Sequence, residues 1–359
     1  MTQDVLRCIG LMSGTSLDGV DAAFIETDGE AVIRTGPSLT LPYEESFRAR
    51  LRGVLGETGD TPSVRGVEQE LTLLHVKAAE TLIARDSLPE IDVVGFHGHT
   101  ILHRPEERRT RQIGNGFQLA RLLGTTVVSD FRSDDVAAGG QGAPFVPAYH
   151  RALAGALDRP LAVLNLGGVG NVTWIGAGED EILAFDTGPG NALIDDWALR
   201  HTGQAVDRGG ALAARGTVDA ASMVQFLAHP FFAAAPPKSL DRDDFVRQVP
   251  HHLSPEDGAA TLTHMTAAAV ARAVTHLPAP PKRWLVTGGG RHNPVLMAAL
   301  AGELGCPVAP VEQVGWDGDA LEAQAFAYLA VRSLRGLPLS YPGTTGVLAP
   351  QTGGRWDRP

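Results

Sequence analysis

Cysteine and positive charge are both scarce in this sequence, and each scarcity argues against a class of protein. The two cysteines, Cys8 and Cys306, are too few and too far apart for a disulfide framework or a thiolate metal centre. The 30 basic residues are outnumbered by 41 acidic ones, which gives a net charge of −11. This balance argues against a nucleic acid or an anionic membrane as the main partner.

Long hydrophobic runs are also missing. No apolar stretch reaches the roughly 18 residues that a membrane-spanning helix needs. The N-terminal segment lacks the basic and apolar regions of a secretory signal. We therefore expect a cytoplasmic protein with no membrane partner, and the 359 residues are enough for two or three domains.

The chain contains instead a succession of strands and glycine-rich turns that occurs twice. Apolar strands at 5–12 and 20–26 flank a polar loop, and helical spacing of apolar residues follows from Val67 to Leu82. From residue 161, "LAVLNLGGVGN" again joins an apolar strand to a glycine-rich turn, ahead of further strands and helices. The sequence therefore predicts two α/β domains of similar topology, with a ligand-binding cleft between them.

The domain boundary is expected in the Pro- and Gly-rich stretch 139–147. We assign residues 1–145 to an N-terminal domain and residues 146–359 to a C-terminal domain. The tail 337–359 has no helical period, so it is predicted to be a loop that packs back on the first domain.

The loop "SGTSLDGVD" between the first two strands is longer than a tight hairpin needs. Its glycines let successive amides turn toward one point, and its hydroxyls add donors, so it can hold phosphates. Asp18 and Asp21 can position Mg²⁺ through water. The alternative is a wide hairpin whose hydroxyls cap its own backbone. The candidate phosphate-binding residues are Gly14, Thr15, Ser16, Leu17, Asp18, Gly19, Val20 and Asp21, with Asp18 as the candidate metal contact.

Two further glycine-rich turns follow strands in the second half. "LGGVGN" corresponds in position to the first loop, so Gly167, Gly168 and Asn171 are candidate phosphate contacts. In "TGGGRHNP", Asn293 can cap a helix that begins at Pro294. The flat surface on which a purine could lie is formed by Gly288, Gly289 and Gly290. A flexible strand-to-helix turn is the alternative for this last motif.

The motif "FDTGPGN" places Asp186 at the end of an apolar strand, ahead of a Gly-Pro-Gly bend. A carboxylate at that position can act as a general base. The alternative is an aspartate that caps the next helix.

Candidate sugar contacts come from "GFHGHT" and "SDFRSDDVAAGGQGAP". Arg132 can bind a substrate carboxylate through two parallel hydrogen bonds. A solvated cluster of salt bridges is the alternative for this second motif. The candidate substrate-binding residues are His97, Thr100, Asp130 and Arg132.

These motifs together resemble the anhydro-N-acetylmuramic acid kinase family, which recycles the bacterial cell wall. The segments that carry the resemblance are "IGLMSGTSLDGVD", "GFHGHT", "SDFRSDDVAAGGQGAPFVP", "LNLGGVGN", "FDTGPGN", "TGGGRHNP" and "DALEAQAFAYLA". They follow one another from residue 9 to about residue 330. The resemblance implies the two-domain sugar-kinase/Hsp70/actin fold, a duplicated ribonuclease-H-like α/β fold with ATP in the interdomain cleft.

The resemblance also implies a reaction and roles for particular residues. The family uses ATP, with Mg²⁺, and water to convert 1,6-anhydro-N-acetylmuramic acid to N-acetylmuramic acid 6-phosphate and ADP. Residues Gly14 to Asp21 match its phosphate loop, Asp186 matches its catalytic aspartate, and Glu322 matches a glutamate that helps to orient the water. One departure is His99, where the family more often has Gln.

Two other functions remain open at this point. One is a conventional sugar or carboxylate kinase of the same fold, which phosphorylates a free hydroxyl or carboxylate. The other is a non-enzymatic ATP-driven binding protein, although no added peptide-binding segment follows residue 336 in this sequence. The partner that the resemblance implies is a small-molecule substrate, 1,6-anhydro-N-acetylmuramic acid, and a homodimer is left open.

Overall fold

The computed structural model describes residues 4–14, 16–178 and 181–359. Its strands are β1 (Leu6–Ser13), β2 (Gly19–Thr27), β3 (Val32–Pro42), β4 (Val93–Arg104), β5 (Arg109–Ile113), β6 (Thr126–Ser129), β7 (Leu161–Leu166), β8 (Val169–Ile175), β9 (Ile182–Pro189), β10 (Trp284–Thr287), β11 (Val308–Pro310) and β12 (Arg355–Asp357). Its α-helices are α1 (Glu45–Arg52), α2 (Pro62–Asp86), α3 (Gly116–Leu123), α4 (Ser133–Ala137), α5 (Val146–Leu153), α6 (Ala192–Thr202), α7 (Ala220–Leu227), α8 (Pro255–Ala273), α9 (Pro294–Leu304), α10 (Leu321–Leu334) and α11 (Pro342–Thr345). Across these described ranges, no helix is both long enough and apolar enough to cross a membrane.

The chain folds into two compact units. Unit 1 contains the described residues up to Ala156 together with Ala320–Pro359, and unit 2 is Leu157–Asp319. This division differs from the expected boundary after residue 145, because α5 and everything from Ala320 onward belong to unit 1. The sequence pattern could not show this, because the residues that return to the first unit follow the whole second unit along the chain.

Unit 1 is built on a sheet with the strand order β12-β6-β4-β1-β2-β3, and β5 pairs with β4. Strands β1, β2 and β3 are antiparallel neighbours, whereas β4 is parallel to β1 and β6 is parallel to β4. Helix α2 covers this sheet with Val67, Leu71 and Leu82, which are buried as the helical spacing predicts.

Helix α10 packs directly on the unit 1 sheet because two glycines leave room for it. A Cβ on Gly10 of β1 would lie 1.7 Å from the carbonyl oxygen of Ala323, and one on Gly95 of β4 would lie 2.0 Å from that of Phe326. No larger residue fits at either position, since such contacts are far shorter than the packing of a protein interior allows. This close approach fixes the first turn of α10, which carries Glu322.

The tail 337–359 is more regular than the loop that was predicted. It contains the short helix α11, and β12 pairs antiparallel with β6 of the unit 1 sheet. The buried guanidinium of Arg332 donates to the carbonyl oxygens of Pro338 and Gly29, which fastens the start of the tail. Three-residue strands such as β12 form through pairing with a neighbour, and this leaves no period in the sequence.

Unit 2 contains a sheet with the strand order β11-β10-β7-β8-β9. Strands β7, β8 and β9 are antiparallel neighbours, whereas β10 is parallel to β7 and β11 is parallel to β10. Counted along the chain, this is the same order of antiparallel and parallel strands as in the central sheet of unit 1. The two sheets confirm the duplicated ribonuclease-H-like α/β fold.

Candidate active site

The loop after β1 is held from below by its own backbone and by Tyr43. The amide of Leu17 donates to the carbonyl of Gly14 at 3.1 Å, and the amide of Tyr43 donates to the carbonyl of Asp18 at 2.9 Å. Leu17 has a φ of 60°, and its side chain is buried. Ser16 and Asp18 are exposed.

The predicted phosphate-binding residues therefore fall into two groups. Gly19 and Val20 belong to β2, Val20 is buried, and a Cβ on Gly19 would lie 2.4 Å from the carbonyl oxygen of Leu41. The second group lies in the loop itself, where Ser16 and Asp18 are exposed and can face a phosphate or its metal ion. Asp21 lies in β2, and its Oδ1 accepts a hydrogen bond from Oγ1 of Thr40 at 2.6 Å. Thr15 lies outside the described residues.

A buried hydrogen-bonded chain of Tyr43, Ser13 and His99 lies beneath this loop. The Tyr43 hydroxyl is 2.6 Å from Oγ of Ser13, and the same Oγ is 2.9 Å from Nδ1 of His99. Burial lowers the pKa of His99 to about 4, so its imidazole is neutral at pH 7. The sequence left the contact of His99 open. In the structure, His99 contacts the protein itself, at Ser13, the last residue of β1.

Arg132 and His97 contact each other in unit 1. Nε and Nη2 of Arg132 both lie 3.0 Å from Nε2 of His97. Nη1 of Arg132 donates to the carbonyl oxygen of Gly142 at 2.6 Å. Burial lowers the pKa of Arg132 to about 10, which leaves the guanidinium charged at neutral pH.

The other two predicted sugar contacts, Thr100 and Asp130, are partly occupied by neighbouring side chains. Oγ1 of Thr100 accepts a hydrogen bond from Nε2 of Gln112 at 3.1 Å. Asp130 accepts from Oγ of Ser133 at 2.5 Å and forms an ion pair with Arg355 at 3.1 Å. The salt-bridge alternative therefore describes Asp130, while its role toward a sugar stays a prediction.

Glu322 lies in the first turn of α10, and its carboxyl interacts electrostatically with the charge of Arg132. Its side chain reaches solvent but has protein on most sides. Burial raises the pKa of this carboxyl, the charge of Arg132 opposes the rise, and the charge of Asp21 adds to it.

Asp186 is held by the backbone of residues 238–240 in unit 2. Its Oδ2 accepts a hydrogen bond from the amide of Leu240 at 2.8 Å, and its own amide donates to the carbonyl of Lys238 at 3.1 Å. Burial raises the pKa of Asp186 to about 6, although the Leu240 amide lowers it. The Asp186 carboxylate is thus a stronger base than an ordinary aspartate, with one oxygen fixed in place.

The surroundings of Asp186 differ from the expectation in one respect. Strand β9 continues to Pro189, so Asp186 lies three residues before its end rather than at it. Helix α6 begins after Asn191, which is in the cap position but makes no side-chain cap, and Nδ2 of Asn191 instead donates to the carbonyl of Leu166 at 2.6 Å. The carboxylate of Asp186 accepts from Leu240, so the helix-capping alternative is wrong for Asp186.

The glycine-rich turn between β7 and β8 is fixed by the start of α6. The amide of Asn191 donates to the carbonyl of Gly167 at 2.7 Å, and the amides of Gly190 and Ala192 donate to the carbonyl of Gly168 at 2.9 and 3.2 Å. Gly168 itself is exposed to solvent. Backbone amides therefore hold the turn itself, and the side chain of Asn191 holds the carbonyl of Leu166 just before it.

The second glycine-rich turn of unit 2 follows β10. Gly288 has a φ of 74°, and a Cβ there would lie 2.4 Å from Oδ1 of Asn165, so only glycine fits. Gly289 opens a short 3₁₀ turn, and Gly290 is buried in it. Oδ1 of Asn293 accepts from the amides of Val295 and Leu296, which confirms its predicted role as the cap of α9. A contact between Asn293 and a nucleotide stays a prediction.

Comparison with known proteins places this chain in a family. A family model described as anhydro-N-acetylmuramic acid kinase matches residues 6–356. The chain belongs to the anhydro-N-acetylmuramic acid kinase family. It is 60% identical over 355 residues to the anhydro-N-acetylmuramic acid kinase of Paramagnetospirillum magneticum, with 98% of this chain and 99% of the relative covered. It is 58% identical over 354 residues to that of Rhodospirillum rubrum, with coverages of 97% and 93%.

In this family member, Asn165 and Thr287 lie near the predicted site but were missed by the sequence analysis. In the strand register, Asp186, Asn171, Asn165 and Thr287 are successive cross-strand neighbours on β9, β8, β7 and β10. Neighbours of this kind have their side chains on one face of a sheet, so Asn171 lies beside Asp186. Asn165 carries no signal of its own, since a single Asn in an apolar strand acquires meaning only from its register.

Two other residues were missed: Leu240, which acts through its backbone amide, and Tyr43, whose hydroxyl contacts Ser13. Leu240 contacts Asp186 with its amide, which any residue except proline can supply, so no sequence pattern marks it. Tyr43 follows β3, and only the fold brings it to Ser13 and to the loop that was predicted to bind phosphate. In this member of the family, both residues belong to the support of the candidate site.

Proposed function

We propose that this protein catalyses the ATP-dependent opening of 1,6-anhydro-N-acetylmuramic acid by water, with phosphorylation of O6. The products are N-acetylmuramic acid 6-phosphate and ADP. The observation that carries the proposal is Asp186, a half-buried carboxylate with a pKa of about 6 and one oxygen fixed by a backbone amide. The reaction in which this base would act is inferred from the kinase family to which the chain belongs.

The substrate explains why a base is needed. Its 1,6-anhydro bridge ties up O6, so no free hydroxyl is available to attack ATP. In the proposed reaction the oxygen of a water molecule bonds to C1, the C1–O6 bond breaks, and O6 takes the γ-phosphoryl group of ATP. The water proton passes to Asp186 and then to solvent. This resembles the base half of an inverting glycosidase, with the phosphoryl group in place of the acid proton.

The environment of Asp186 suits this role. With a pKa of about 6, about nine-tenths of the carboxylate is ionised at pH 7, and it takes a proton more readily than an ordinary aspartate. The Leu240 amide occupies Oδ2, which leaves Oδ1 as the oxygen for the water. Asn171, its cross-strand neighbour, can hold the water or the sugar beside it.

The loop at Gly14–Gly19 is proposed to hold the phosphates of ATP. Its backbone amides, the exposed Ser16 and the glycine turn at Gly167 and Gly168 offer donors or close approach without side-chain bulk. Phosphoryl transfer depends mainly on positioning and on neutralising charge, which such loops provide. The adenosine is proposed to lie against Gly288, Gly289 and Gly290, near Asn293.

The donor set of the loop also fits a magnesium ion. Mg²⁺ usually keeps several waters and binds one or two carboxylates together with substrate phosphates. Asp18 is exposed and Asp21 lies on the neighbouring strand, so these two carboxylates would hold it. When bound, the ion would neutralise charge on the transferred phosphoryl group.

Arg132 and Glu322 are proposed to act on the sugar and the water. The substrate carries a lactyl carboxylate, and the charged guanidinium of Arg132 suits it. Glu322 is proposed to help orient the water, because the charge of Arg132 favours the ionised form of its carboxyl, which accepts hydrogen bonds. His97, Thr100 and Asp130 complete the proposed sugar site, directly or through their neighbours.

The reaction can be tested by mass spectrometry of the product formed from the anhydro sugar and ATP in ¹⁸O-labelled water. We expect one label in the C1 hydroxyl and none in the phosphate or O6. A product without label at C1, or a label at the phosphate, would contradict the mechanism. Phosphorylation of ordinary sugars with free hydroxyls at a similar rate would favour a conventional kinase instead.

A further inference from the structure

The guanidinium of Arg132 has most of its hydrogen-bonding groups engaged by unit 1. Nε and Nη2 each donate to Nε2 of His97, and Nη1 donates to the carbonyl of Gly142. The rings of Phe145 and Phe326 lie 5.6 and 6.0 Å from its Cζ. A guanidinium has two N–H groups on each terminal nitrogen, so Nη1 and Nη2 each keep one N–H that no described residue accepts.

His97 can play only one part in this arrangement. Arginine has no acceptor, so Nε2 of His97 must be unprotonated and accept. The ring proton is then on Nδ1, which donates to the carbonyl of Gly98 at 2.8 Å. Burial and the charge of Arg132 hold the pKa of His97 well below its usual value, so the ring is neutral. Because both ring nitrogens are engaged, His97 holds Arg132 and does not bind the sugar through either nitrogen.

Asp135 holds the other side of Arg132 through Gly142. This carboxylate is 2% exposed, and its Oδ1 accepts from the amide of Gly142 at 2.6 Å. Its Oδ2 accepts from Oγ1 of Thr345 at 2.6 Å and from the hydroxyl of Ser340. A buried carboxylate with three donors is firmly held, and through the amide it fixes Gly142, whose carbonyl, in the next peptide unit, accepts from Nη1 of Arg132.

We propose that His97 and Asp135 are positioning residues that hold Arg132 with its two remaining N–H groups available to the carboxylate of the substrate. The proposal deepens the proposed function and rests on it for the identity of the ligand. A free arginine side chain loses much rotamer freedom when it binds. Holding Arg132 in advance moves that cost from substrate binding to folding, which raises affinity.

The first test compares His97→Leu with His97→Gln. Leucine removes the acceptor, whereas the glutamine Oε1 can accept near the position of Nε2. Because a hydrogen bond to a charged group is lost, we expect His97→Leu to raise KM for the anhydro sugar about tenfold to a hundredfold, with little change in KM for ATP. We expect His97→Gln to recover most of the loss. Equal changes in both KM values in the two variants would overturn the proposal, since they would indicate a general loss of structure.

The second test compares Asp135→Asn with Asp134→Asn. Both changes remove one negative charge from α4, but Asp134 is exposed and Asp135 is buried against Gly142. We expect only Asp135→Asn to raise KM for the anhydro sugar, by about threefold to tenfold, because the new NH2 group faces either the amide of Gly142 or the two hydroxyls, and the donors there lose their acceptor. A similar response of the two variants would contradict a role for Asp135 in holding Arg132.

A third measurement separates this inference from the proposed function. NMR of ¹⁵N-histidine-labelled protein should show His97 as the neutral Nδ1–H tautomer, with an Nε2 shift that changes in Arg132→Lys. A cationic His97, or an Nε2–H tautomer, would overturn the inference even in an active enzyme. If the wild-type protein does not phosphorylate the anhydro sugar, the proposed function fails, and the tautomer still decides whether His97 holds Arg132.

Discussion

The candidate site residues of unit 1 are held mainly by side chains, whereas those of unit 2 are held mainly by the backbone. In unit 1, side chains hold side chains, since Tyr43 and His99 contact Ser13 while His97 contacts Arg132. In unit 2, backbone amides do this work for Asp186 and for the turn at Gly167 and Gly168. The same strand order therefore supports two kinds of site. Single side-chain substitutions should disturb the supports of unit 1, whereas those of unit 2 should respond mainly to changes in the backbone.

The largest effect is expected where unit 2 depends on a side chain. Asp186→Asn keeps the shape of the carboxylate but removes the base. Loss of a general base usually costs about 10²–10⁴-fold, so we expect kcat to fall by that factor with little change in either KM. Steady-state kinetics measure it, and Asp196→Asn, an exposed substitution in the same unit, is the control. Turnover of Asp186→Asn near the wild-type rate would place the base elsewhere, and Glu322 would be tested next.

The pH profile should report the same carboxylate. Asp186 must be ionised to accept a proton, so activity is lost as pH falls through its folded-state pKa of about 6. We expect kcat/KM to be flat above pH 7 and to fall about tenfold per pH unit below 6. The pKa of Asp195 is also raised to about 6, by burial and by Asp196. An Asp195→Asn variant with an unchanged acid limb would therefore assign the limb to Asp186.

A backbone change sharpens the contrast between the units. Leu240→Pro removes the amide that lowers the pKa of Asp186, whereas Leu240→Ala keeps it. We expect the acid limb of kcat/KM in Leu240→Pro to move up by about one pH unit relative to Leu240→Ala. Identical limbs in the two variants would show that the amide does not tune this carboxylate.

A smaller effect is expected from the side-chain support of unit 1. Tyr43→Phe removes the hydroxyl that contacts Ser13, next to the loop that is proposed to bind phosphate. A neutral hydrogen bond contributes about 0.5–1.5 kcal/mol, so we expect KM for ATP to rise roughly twofold to tenfold. Tyr328→Phe removes another buried hydroxyl of unit 1, which contacts Arg332. Tyr328→Phe should lower Tm without changing KM for ATP. An equal change of KM for ATP in the two variants would refute the role of Tyr43 in supporting the loop.

The smallest effect is expected at the ion pair between Arg355 and Asp130. The side chain of Arg355 is 76% exposed, so solvent screens the pair. Such pairs contribute about 0–1 kcal/mol, and we expect Arg355→Ala to change Tm by only a few degrees. A large drop in Tm, measured by calorimetry, would show that the pair anchors β12 more strongly than its exposure allows.

The succession of strands along the chain, the glycine-rich turns and the cap of α9 could all be predicted from the sequence. These features depend on neighbours along the chain, such as the Asn293–Pro294 pair that begins a helix. The position of Asp186 was predicted to within three residues of the end of β9. Its supporting amide could not be predicted, because every residue except proline has one.

Local sequence thus determined the elements of this protein and the residue types offered to a ligand, because hydrophobic period, turn chemistry and caps act over a few residues. The tertiary structure alone decided which of them hold one another. Glycines at positions 10 and 95 admit α10 to the unit 1 sheet, and the loop after α4 brings Gly142 to Arg132. His97 looked like a sugar contact in the sequence, but both its ring nitrogens are engaged in the folded chain. Such contacts join residues far apart in sequence, and their energies exist only once the backbone has brought them within hydrogen-bonding distance.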